Sequence, residues 1–463
     1  MKQSTHHHAL LTEFKTLIRL ALPIVVAQFA QTANGVVDTL MAGQLGPRDL
    51  AAVAVGSSVW VPVFLFLVGV MQGVTPFVAR HHGAGNEPAV GGVVQQGIWM
   101  AIPLGLLGFL LLRSVEPVLA LMDVQPELRP SIIGYLEGVS WGMPAITLFL
   151  SLRCLTEGMS FTRPVMVISL IGLTTNIPLN YIFMYGKFGL PAMGGVGCGW
   201  ATGIIMWLML ILMLTHCLLT SSYRNTAWNR HFQGPHPAKM LPLLKLGLPI
   251  GGAIFIEVSL FCVIALFIAS ISTDVVAGHQ IALNVASLVF MIPLSLALAL
   301  TVRVGFNLGR GHLPGVLHAR QSGMALIVVV ALMNSTLMVL FREPIARLYT
   351  DDMDVIALAT SLLIFAAVFQ LSDGLQVGAN GVLRGLQDTT VPMLLTVVAY
   401  WLLGLPIGYA LGMTNWLMPV PLGAQGFWVG LVAGLTAAAI LLNLRVRLRL
   451  RALSQHPPGS TVS

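Results

Sequence analysis

Long apolar runs, separated by short breaks of Gly, Pro and charged residues, occur from one end of the chain to the other. A helix needs about 20 apolar residues to cross the roughly 30 Å hydrocarbon core of a bilayer. The pattern therefore predicts an all-α integral membrane protein. Its twelve predicted spans lie at about 17–41, 50–79, 92–112, 131–153, 164–185, 197–220, 243–269, 275–302, 319–341, 355–382, 392–412 and 425–444.

The composition excludes several classes of protein. Of the 463 residues, 56% are hydrophobic and 9% charged, whereas a soluble protein carries roughly 25% charged residues. This rules out a soluble enzyme, a disordered protein and a nucleic-acid-binding domain. The chain has no GxxxxGK[ST] loop, and its four cysteines form no CxxC pair. We therefore expect no ATP hydrolysis and no cofactor, with the cysteines acting as small hydrophobic residues.

The distribution of basic residues predicts the orientation. Twelve spans place both termini on one side of the membrane. The connections between spans lie alternately on the two sides, and the even-numbered ones share a side with the termini. Of the 24 basic residues, all but six fall on that side. Because cytoplasmic loops are rich in Lys and Arg, we expect both termini in the cytoplasm. The six on the other face are Arg48, Arg113, Arg129, Lys187, Arg342 and Arg347.

The chain also repeats itself. IRLALPI at 18–24 aligns with LKLGLPI at 244–250, an offset of 226, and Pro178 and Trp200 align with Pro406 and Trp428, an offset of 228. Six spans per repeat predict two pseudo-symmetric six-helix bundles arranged as parallel repeats around a central cavity, a geometry suited to alternating access. The expected domains are a cytoplasmic N-terminal tail (1–16), an N-lobe (17–220), a cytoplasmic linker (221–242), a C-lobe (243–447) and a cytoplasmic C-terminal tail (448–463).

Three acidic residues lie within predicted spans: Asp38, Glu257 and Asp373. Each carboxylate held as an ion at the bilayer centre costs about 2.5–3.5 kcal/mol. No Lys or Arg is predicted at a similar depth, which indicates that the partner is a proton, a metal cation or a cationic substrate. The alternative is a permanently protonated acid that hydrogen-bonds between helices.

Polar stripes accompany these acids at helical spacing. Span 1 carries Gln28, Gln31, Asn34 and Asp38, span 10 carries Gln370, Asp373, Gln376 and Asn380, and span 5 carries Asn176 and Asn180. Such stripes provide oxygen ligands for a hard cation or hydrogen-bond partners for a protonated acid. A single stripe is usually interhelical packing, but two that include a buried acid favour a binding site.

Together these segments resemble the NorM branch of the multidrug and toxic compound extrusion (MATE) family over essentially the full length. The resemblance is carried by LALPIVVAQFAQTANGVVDTLMAG (20–43), NIPLNYIFMYGKFGLPAMGGVGCG (176–199), VVAGHQIALN (275–284), TVRVGFNLG (301–309) and FQLSDGLQVGANGVLRGLQDT (369–389). It implies a bacterial inner-membrane antiporter that exports cationic drugs and dyes in exchange for Na⁺ or H⁺. We expect the protein to be a monomer.

The resemblance also implies roles for individual residues. Cation coupling would fall to Asp38, Glu257, Asp373, Asn176 and Asn180, with Na⁺ held at Asp38/Asn176/Asn180 or at Glu257/Asp373. Phe290 stands where some relatives carry a cation-contacting Tyr. Ser58 and Gln280 match the polar cavity contacts of the family. Together with the polar stripes they complete the expected substrate contacts: Asp38, Gln31, Asn34, Ser58, Gln280, Phe290, Gln370 and Gln376.

Two other functions compete with this interpretation. A flippase for lipid-linked precursors in the same fold superfamily would carry phosphates and should present buried Lys or Arg. An intramembrane enzyme would need a Ser–His or paired-Asp arrangement, which the positions of the histidines do not suggest. We therefore expect a transporter with small-molecule, ion and lipid partners, and not an enzyme.

Overall fold

The computed structural model describes residues 2–121, 124–230 and 232–455, and every regular element in these ranges is a helix. Within them, eleven helical segments are long and apolar enough to cross a membrane. These correspond to predicted spans 2–12, and predicted span 1 lies inside the first helix, α1 (Lys2–Leu45). The predicted all-helical membrane fold is confirmed.

The chain divides into two compact units. The N-terminal unit comprises Leu22–Gly251. Its helices after α1 are α2 (Pro47–Met71), α3 (Val74–Gly83), α4 (Glu87–Arg113), α5 (Glu116–Leu121), α6 (Arg129–Gly158), α7 (Arg163–Tyr185), α8 (Gly195–Leu219), a 3₁₀ turn (Ser221–Thr226) and the first part of α9 (Pro237–Ala269).

The C-terminal unit comprises the chain from Gly252 onward together with the segment up to Ala21. Its helices are the rest of α9, α10 (Thr273–Gly309), α11 (Leu313–Leu340), α12 (Arg342–Arg347), α13 (Met353–Gly385), α14 (Thr390–Val397), a π-helical segment (Val398–Gly404), α15 (Leu405–Met413) and α16 (Ala424–Gln455). Predicted span 392–412 is therefore one helix with a π-helical centre.

The start of α1 belongs to the C-terminal unit because its polar groups form an ion pair and a hydrogen bond with residues of that unit. Arg303 Nη2 lies 2.6 Å from Glu13 Oε1, and Ser322 Oγ donates to the carbonyl oxygen of Leu10 at 3.1 Å. The predicted N-terminal tail is thus a helical extension of span 1, and the unit boundary lies within the helix. At the other end, α16 continues to Gln455, and residues 456–463 of the predicted tail lie outside the described residues.

Glycines bring the backbones of the N-terminal unit into contact. A Cβ on Gly199 of α8 would overlap the carbonyl oxygen of Tyr135 of α6, and one on Gly203 would lie 2.5 Å from the carbonyl oxygen of Gly138. A Cβ on Gly197 would lie 2.6 Å from the carbonyl carbon of Phe183 of α7. Helix α8 is therefore packed directly against both α6 and α7.

Candidate functional site

The buried carboxylate of Asp38 lies among amides from another helix of the N-terminal unit. Asn180 Nδ2 donates to Asp38 Oδ1 at 2.6 Å, and Asn176 Nδ2 donates to the same oxygen at 3.0 Å. Asn180 Nδ2 also contacts Asn176 Oδ1 at 3.1 Å. Helix α7 presents both amides on one face because they are four residues apart. The three residues predicted to form one site are in contact, and we call them the Asp38 cluster.

Further polar groups surround the Asp38 cluster. The Cys198 thiol and the Thr202 hydroxyl of α8 lie beside the carboxylate. Among the described residues, the buried oxygens Asn180 Oδ1 and Asn34 Oδ1 have no hydrogen-bond partner. Since a buried oxygen without a partner is destabilising, these atoms are suited to receive a proton donor or a cation. Cys198 is a free, buried cysteine whose thiol also adds to the polar surroundings of the carboxylate.

Tyr135 of α6 supports the same region. Its hydroxyl accepts a 3.0 Å hydrogen bond from Trp60 Nε1 and lies 3.3 Å from Ser57 Oγ. Its ring occupies the space above Gly56, where any Cβ would overlap it. The Tyr135 hydroxyl and the Asp38 carboxylate also interact electrostatically. Tyr135 therefore links α2 to the surroundings of the cluster.

The C-terminal unit contains a second acidic group. Asp373 of α13 is buried, and its Oδ1 has no hydrogen-bond partner among the described residues. Its carboxylate interacts electrostatically with that of Glu257 on α9. The buried Tyr400, in the π-helical segment, interacts with both acids and donates a 2.6 Å hydrogen bond to Gln376 Oε1. We call these four residues the Glu257 cluster.

One basic residue acts on this cluster, contrary to the expectation that none would lie at a similar depth. The Arg384 guanidinium and the Glu257 carboxylate interact electrostatically. Arg384 lies on the same face of α13 as Asp373, because eleven residues make just over three whole turns. Arg384 lies two residues beyond the predicted span 355–382 but within the same helix, so the predicted boundary excluded it.

The two clusters are not copies of one another. With the repeat offset of 226, Glu257 corresponds to Gln31, and with the offset of 228, Asn176 and Asn180 correspond to Gly404 and Gly408. Gly404 ends the π-helical segment, and a Cβ there would lie 3.1 Å from the carbonyl oxygen of Gly430. Close helix packing thus replaces the amide pair in the second repeat, and the Tyr400 hydroxyl is the polar group that this span contributes.

The remaining predicted contacts are more dispersed. Gln370 is buried and donates to the carbonyl oxygen of Ala286 at 3.0 Å, which leaves its Oε1 without a partner. Ser58 is exposed and donates to Val55 of its own helix at 2.7 Å. The other three are Gln31 and Phe290, which are half-buried, and Gln280, which is exposed.

Sequence reasoning missed Tyr135, Thr202 and Tyr400. Tyr135 and Thr202 lie in apolar or glycine-rich runs that predict packing alone. Tyr400 lies in a π-helical segment, where the spacing of an α-helix no longer identifies neighbours. A buried tyrosine needs a hydrogen-bond partner for its hydroxyl, so an aromatic hydroxyl in the middle of a span was the available signal.

Not every buried acid belongs to a candidate site. Glu157 is buried in α6, but Arg153 Nε lies 2.7 Å from its Oε1. No salt bridge within the described ranges includes Asp38, Glu257 or Asp373. Nor do three His, Cys, Asp or Glu side chains converge in the described part of the chain. The two clusters offer carboxylate, amide and hydroxyl groups, which are the ligands that hard cations prefer.

Comparison with known proteins agrees with this architecture. The MatE family profile matches residues 23–182 and 249–410, so its two matches start 226 residues apart and end 228 apart, as the internal repeat does. The chain is 50% identical to the multidrug resistance protein PmpM of Pseudomonas aeruginosa, an alignment covering 96% of this chain and 93% of that protein. It is 46% identical to the multidrug resistance protein NorM of Photobacterium profundum, covering 94% and 95%.

Solved structures show the same fold at low identity. The eukaryotic MATE transporter AtDTX14 superposes with a TM-score of 0.85 at 20% identity, covering 97% of this chain and 100% of that one. An outward-facing multidrug resistance MATE family transporter of the MOP superfamily gives 0.87 at 21% identity, covering 95% and 96%. The family profile matches both halves of the chain, and one relative is 50% identical over 96% of it. This chain therefore belongs to the MATE family of membrane transporters.

Proposed function

We propose that this protein is a secondary active antiporter that exports cationic drugs, dyes and other toxic organic compounds in exchange for inward Na⁺ or H⁺. It works by alternating access, as a monomer in the bacterial inner membrane with both termini in the cytoplasm. The relatives' names as multidrug resistance proteins support the class of cargo. The excess of basic residues on one side supports the orientation.

The observation that carries this proposal is the set of buried carboxylates outside any salt bridge. Asp38 and Asp373 are 8% and 3% exposed, and neither belongs to an ion pair of the described residues. A buried charge is costly unless it is neutralised. A carboxylate that alternately binds a small cation and releases it couples that neutralisation to a conformational change.

The Asp38 cluster can bind either coupling ion. Two amide N–H groups now donate to one carboxylate oxygen, which stabilises the ionised form. Protonation would place a hydrogen on the other oxygen. Rotation of the amides would instead direct Asn176 Oδ1 and Asn180 Oδ1 toward a Na⁺ bound at Asp38, because the two ends of an amide are nearly equal in size.

The Glu257 cluster provides the second ion site. Two carboxylates that interact with each other favour holding one cation between them, and Arg384 limits the negative charge that this cluster carries. The Tyr400 hydroxyl can donate to an acceptor or coordinate an ion through its oxygen. We assign cargo contact to the same acids and to Gln31, Asn34, Ser58, Gln280, Phe290, Gln370 and Gln376.

A lipid-linked precursor flippase remains the alternative within the fold. Its phosphate cargo would be repelled by the acidic clusters, so the buried charges favour cationic cargo.

The test is ethidium flux in proteoliposomes with Na⁺ and H⁺ gradients imposed separately. We expect an inward gradient of one of these ions to drive ethidium out and a gradient of K⁺ to have no effect. Ethidium flux that ignores both gradients, at normal reconstitution, would contradict the proposal. Movement of a fluorescent lipid-linked sugar phosphate under the same conditions would favour the flippase.

A further inference from the structure

A groove of about 240 Å³ lies in the C-terminal unit between the start of α11 and the end of α16. None of its lining residues belongs to either acidic cluster. The groove lies at the helix ends that the charge distribution predicts to be cytoplasmic. The residues that line it are Leu313, Leu317, Arg320, Arg447, Leu450, Arg451 and Ser454. Three of the seven are arginines, and none is acidic.

These arginines lack a counterion among the described residues. The nearby acid, Asp388, already pairs with other residues: its Oδ2 lies 2.8 Å from Arg445 Nη2 and 3.0 Å from Arg449 Nε. No salt bridge in the described ranges includes an arginine of the groove. The arginines of α16 thus alternate between two places. Arg445 and Arg449 are neutralised by Asp388, whereas Arg447 and Arg451 line the groove, where no acidic residue balances their charge.

Arg320 carries an unsatisfied donor. Its Nε atom is buried and has no hydrogen-bond partner in the described part of the chain, although a buried donor of this kind is normally satisfied. Its guanidinium also experiences the positive charge of Arg447 across the groove. Repulsion between like charges and an unsatisfied donor are both relieved by an anionic acceptor placed between the two helices.

The shape of the site specifies the anion further. Guanidinium groups bind phosphate oxygens through paired N–H donors, and the Ser454 hydroxyl can add another donor. The apolar part of the wall comes from Leu313, Leu317 and Leu450. Leu317 is 37% exposed, so the groove presents an apolar surface beside its cationic groups.

We propose that this groove is a binding site for the phosphate headgroup of an anionic phospholipid, with the acyl chains lying along the exposed leucines. Basic pockets between transmembrane helices at the cytoplasmic side bind such headgroups. A soluble phosphate compound shares the charge chemistry, but it would leave the leucine surface unused. The bound lipid would neutralise the three arginines and join α11 to α16 at the membrane surface.

The test is lipid binding to the purified full-length protein, measured by native mass spectrometry in neutral detergent. The probes are phosphatidylglycerol, phosphatidylcholine and inorganic phosphate. The double variant Arg320→Gln/Arg447→Gln is compared with Arg224→Gln/Arg230→Gln, which removes the same charge from exposed arginines elsewhere. We expect the groove variant to weaken phosphatidylglycerol binding about tenfold and the control variant to bind as the unchanged protein does.

Three results would overturn the proposal. They are equal phosphatidylglycerol binding by the two double variants, equal binding of phosphatidylcholine and phosphatidylglycerol by the unchanged protein, and complete displacement of phosphatidylglycerol by millimolar inorganic phosphate. The exposed Arg451 offers a second variant if the first does not fold. Arg451→Gln should weaken phosphatidylglycerol binding severalfold without affecting phosphatidylcholine, and unchanged binding would count against the site.

Discussion

At the residue scale, the acids in the two clusters differ in what surrounds them. Asp38 accepts two amide donors, whereas Asp373 Oδ1 has no partner within the described residues and faces a second carboxylate. The first arrangement stabilises a charge, and the second destabilises a pair of charges. We therefore expect substitutions at the two clusters to have different consequences.

Neutralising either acid of the Glu257 cluster should abolish export. Glu257→Gln and Asp373→Asn keep the shape of the side chain but cannot exchange a cation. We expect ethidium efflux from cells to fall to the level of cells without the protein, at unchanged amounts in the membrane. Glu343→Gln is the matched control, because Glu343 is exposed and paired only with Arg347 of its own helix. Normal efflux by both cluster variants would refute their coupling role.

Reversing the charge at Asp38 should be worse than removing it. Asp38→Asn leaves a neutral polar side chain between Asn176 and Asn180, while Asp38→Lys places a fixed positive charge there and repels a cationic dye. We expect the Lys variant to bind ethidium more weakly than the Asn variant, as measured by fluorescence polarisation of the purified proteins. Equal affinities would show that Asp38 exerts no electrostatic effect on cargo.

Helical spacing was enough to predict that Asn176 and Asn180 share one face, and Asp38 was singled out because a carboxylate in a span is rare. Their contact joins residues 138 and 142 positions apart. The role of Arg384 was not predictable in this way, because its position near a helix end does not reveal where a flexible side chain points. Thr202 was missed because a hydroxyl in a span usually bonds to its own helix.

At the element scale, the π-helical segment Val398–Gly404 controls where Tyr400 points. A π-helical turn inserts one extra residue into the helix, and such turns are frequent at functional sites. Its hydrogen bond to Gln376 joins this segment to α13. The sequence predicted one continuous span here because apolar composition does not distinguish an α-helix from a short π-helical insertion.

We expect Tyr400→Phe to destabilise the protein by about 1–3 kcal/mol, because it leaves the buried Gln376 Oε1 without a donor. The measurement is the thermal midpoint in detergent. Adding Gln376→Leu to Tyr400→Phe should recover part of the loss, since both polar partners are then absent. The stability losses of Tyr400→Phe and Gln376→Leu measured separately are the reference. If the loss in the double variant equals the sum of these two losses, the two side chains are not coupled.

The start of α1 provides a second test at this scale. Glu13 contacts both Arg303 and Asn307, and the paired side chains are only 12–14% exposed. Glu13→Ala should therefore speed amide hydrogen exchange in residues 9–21 and destabilise the protein by about 1–2 kcal/mol. Combining Glu13→Arg with Arg303→Glu should restore part of the protection. Unchanged exchange in Glu13→Ala would show that the pair does not anchor this segment.

This anchoring explains why the unit boundary differs from the predicted one. Residues 1–16 have no long apolar run, so hydropathy predicted a tail. Glu13 nevertheless finds a partner 290 residues away, and a contact over such a sequence separation leaves no local pattern. The apolar runs themselves identified the spans reliably, because a bilayer requires a minimum length of apolar helix.

For the whole molecule, the two similarly sized halves explain why the fold was predictable. The repeat, at a nearly constant offset, predicted six spans in each copy, and the family profile matches both copies. The prediction of a transporter rather than an enzyme is confirmed by family membership. The differences between the copies, such as Gly404 in place of Asn176, required individual residues to be compared.

The proposal of two unlike ion sites leads to a prediction about energetics. One charge crossing 100 mV is worth about 2.3 kcal/mol, and a tenfold gradient about 1.4 kcal/mol. If each cluster carries a monovalent cation inward for one monovalent dye outward, net positive charge enters and voltage drives export. We expect ethidium flux in proteoliposomes to change with a valinomycin-clamped potential at fixed Na⁺ and H⁺ gradients. Flux independent of voltage would indicate one-for-one exchange, with the second cluster binding cargo alone.

The glycine contacts of α8 have a further consequence for the Asp38 cluster. Because Gly197 lies against the backbone of Phe183, three residues after Asn180, main-chain contacts fix the part of α7 that carries both amides. The backbone entropy of this part is therefore lost when the protein folds. For the proposed ion site, this means that the ordering cost of binding is confined to the rotation of the side-chain amides.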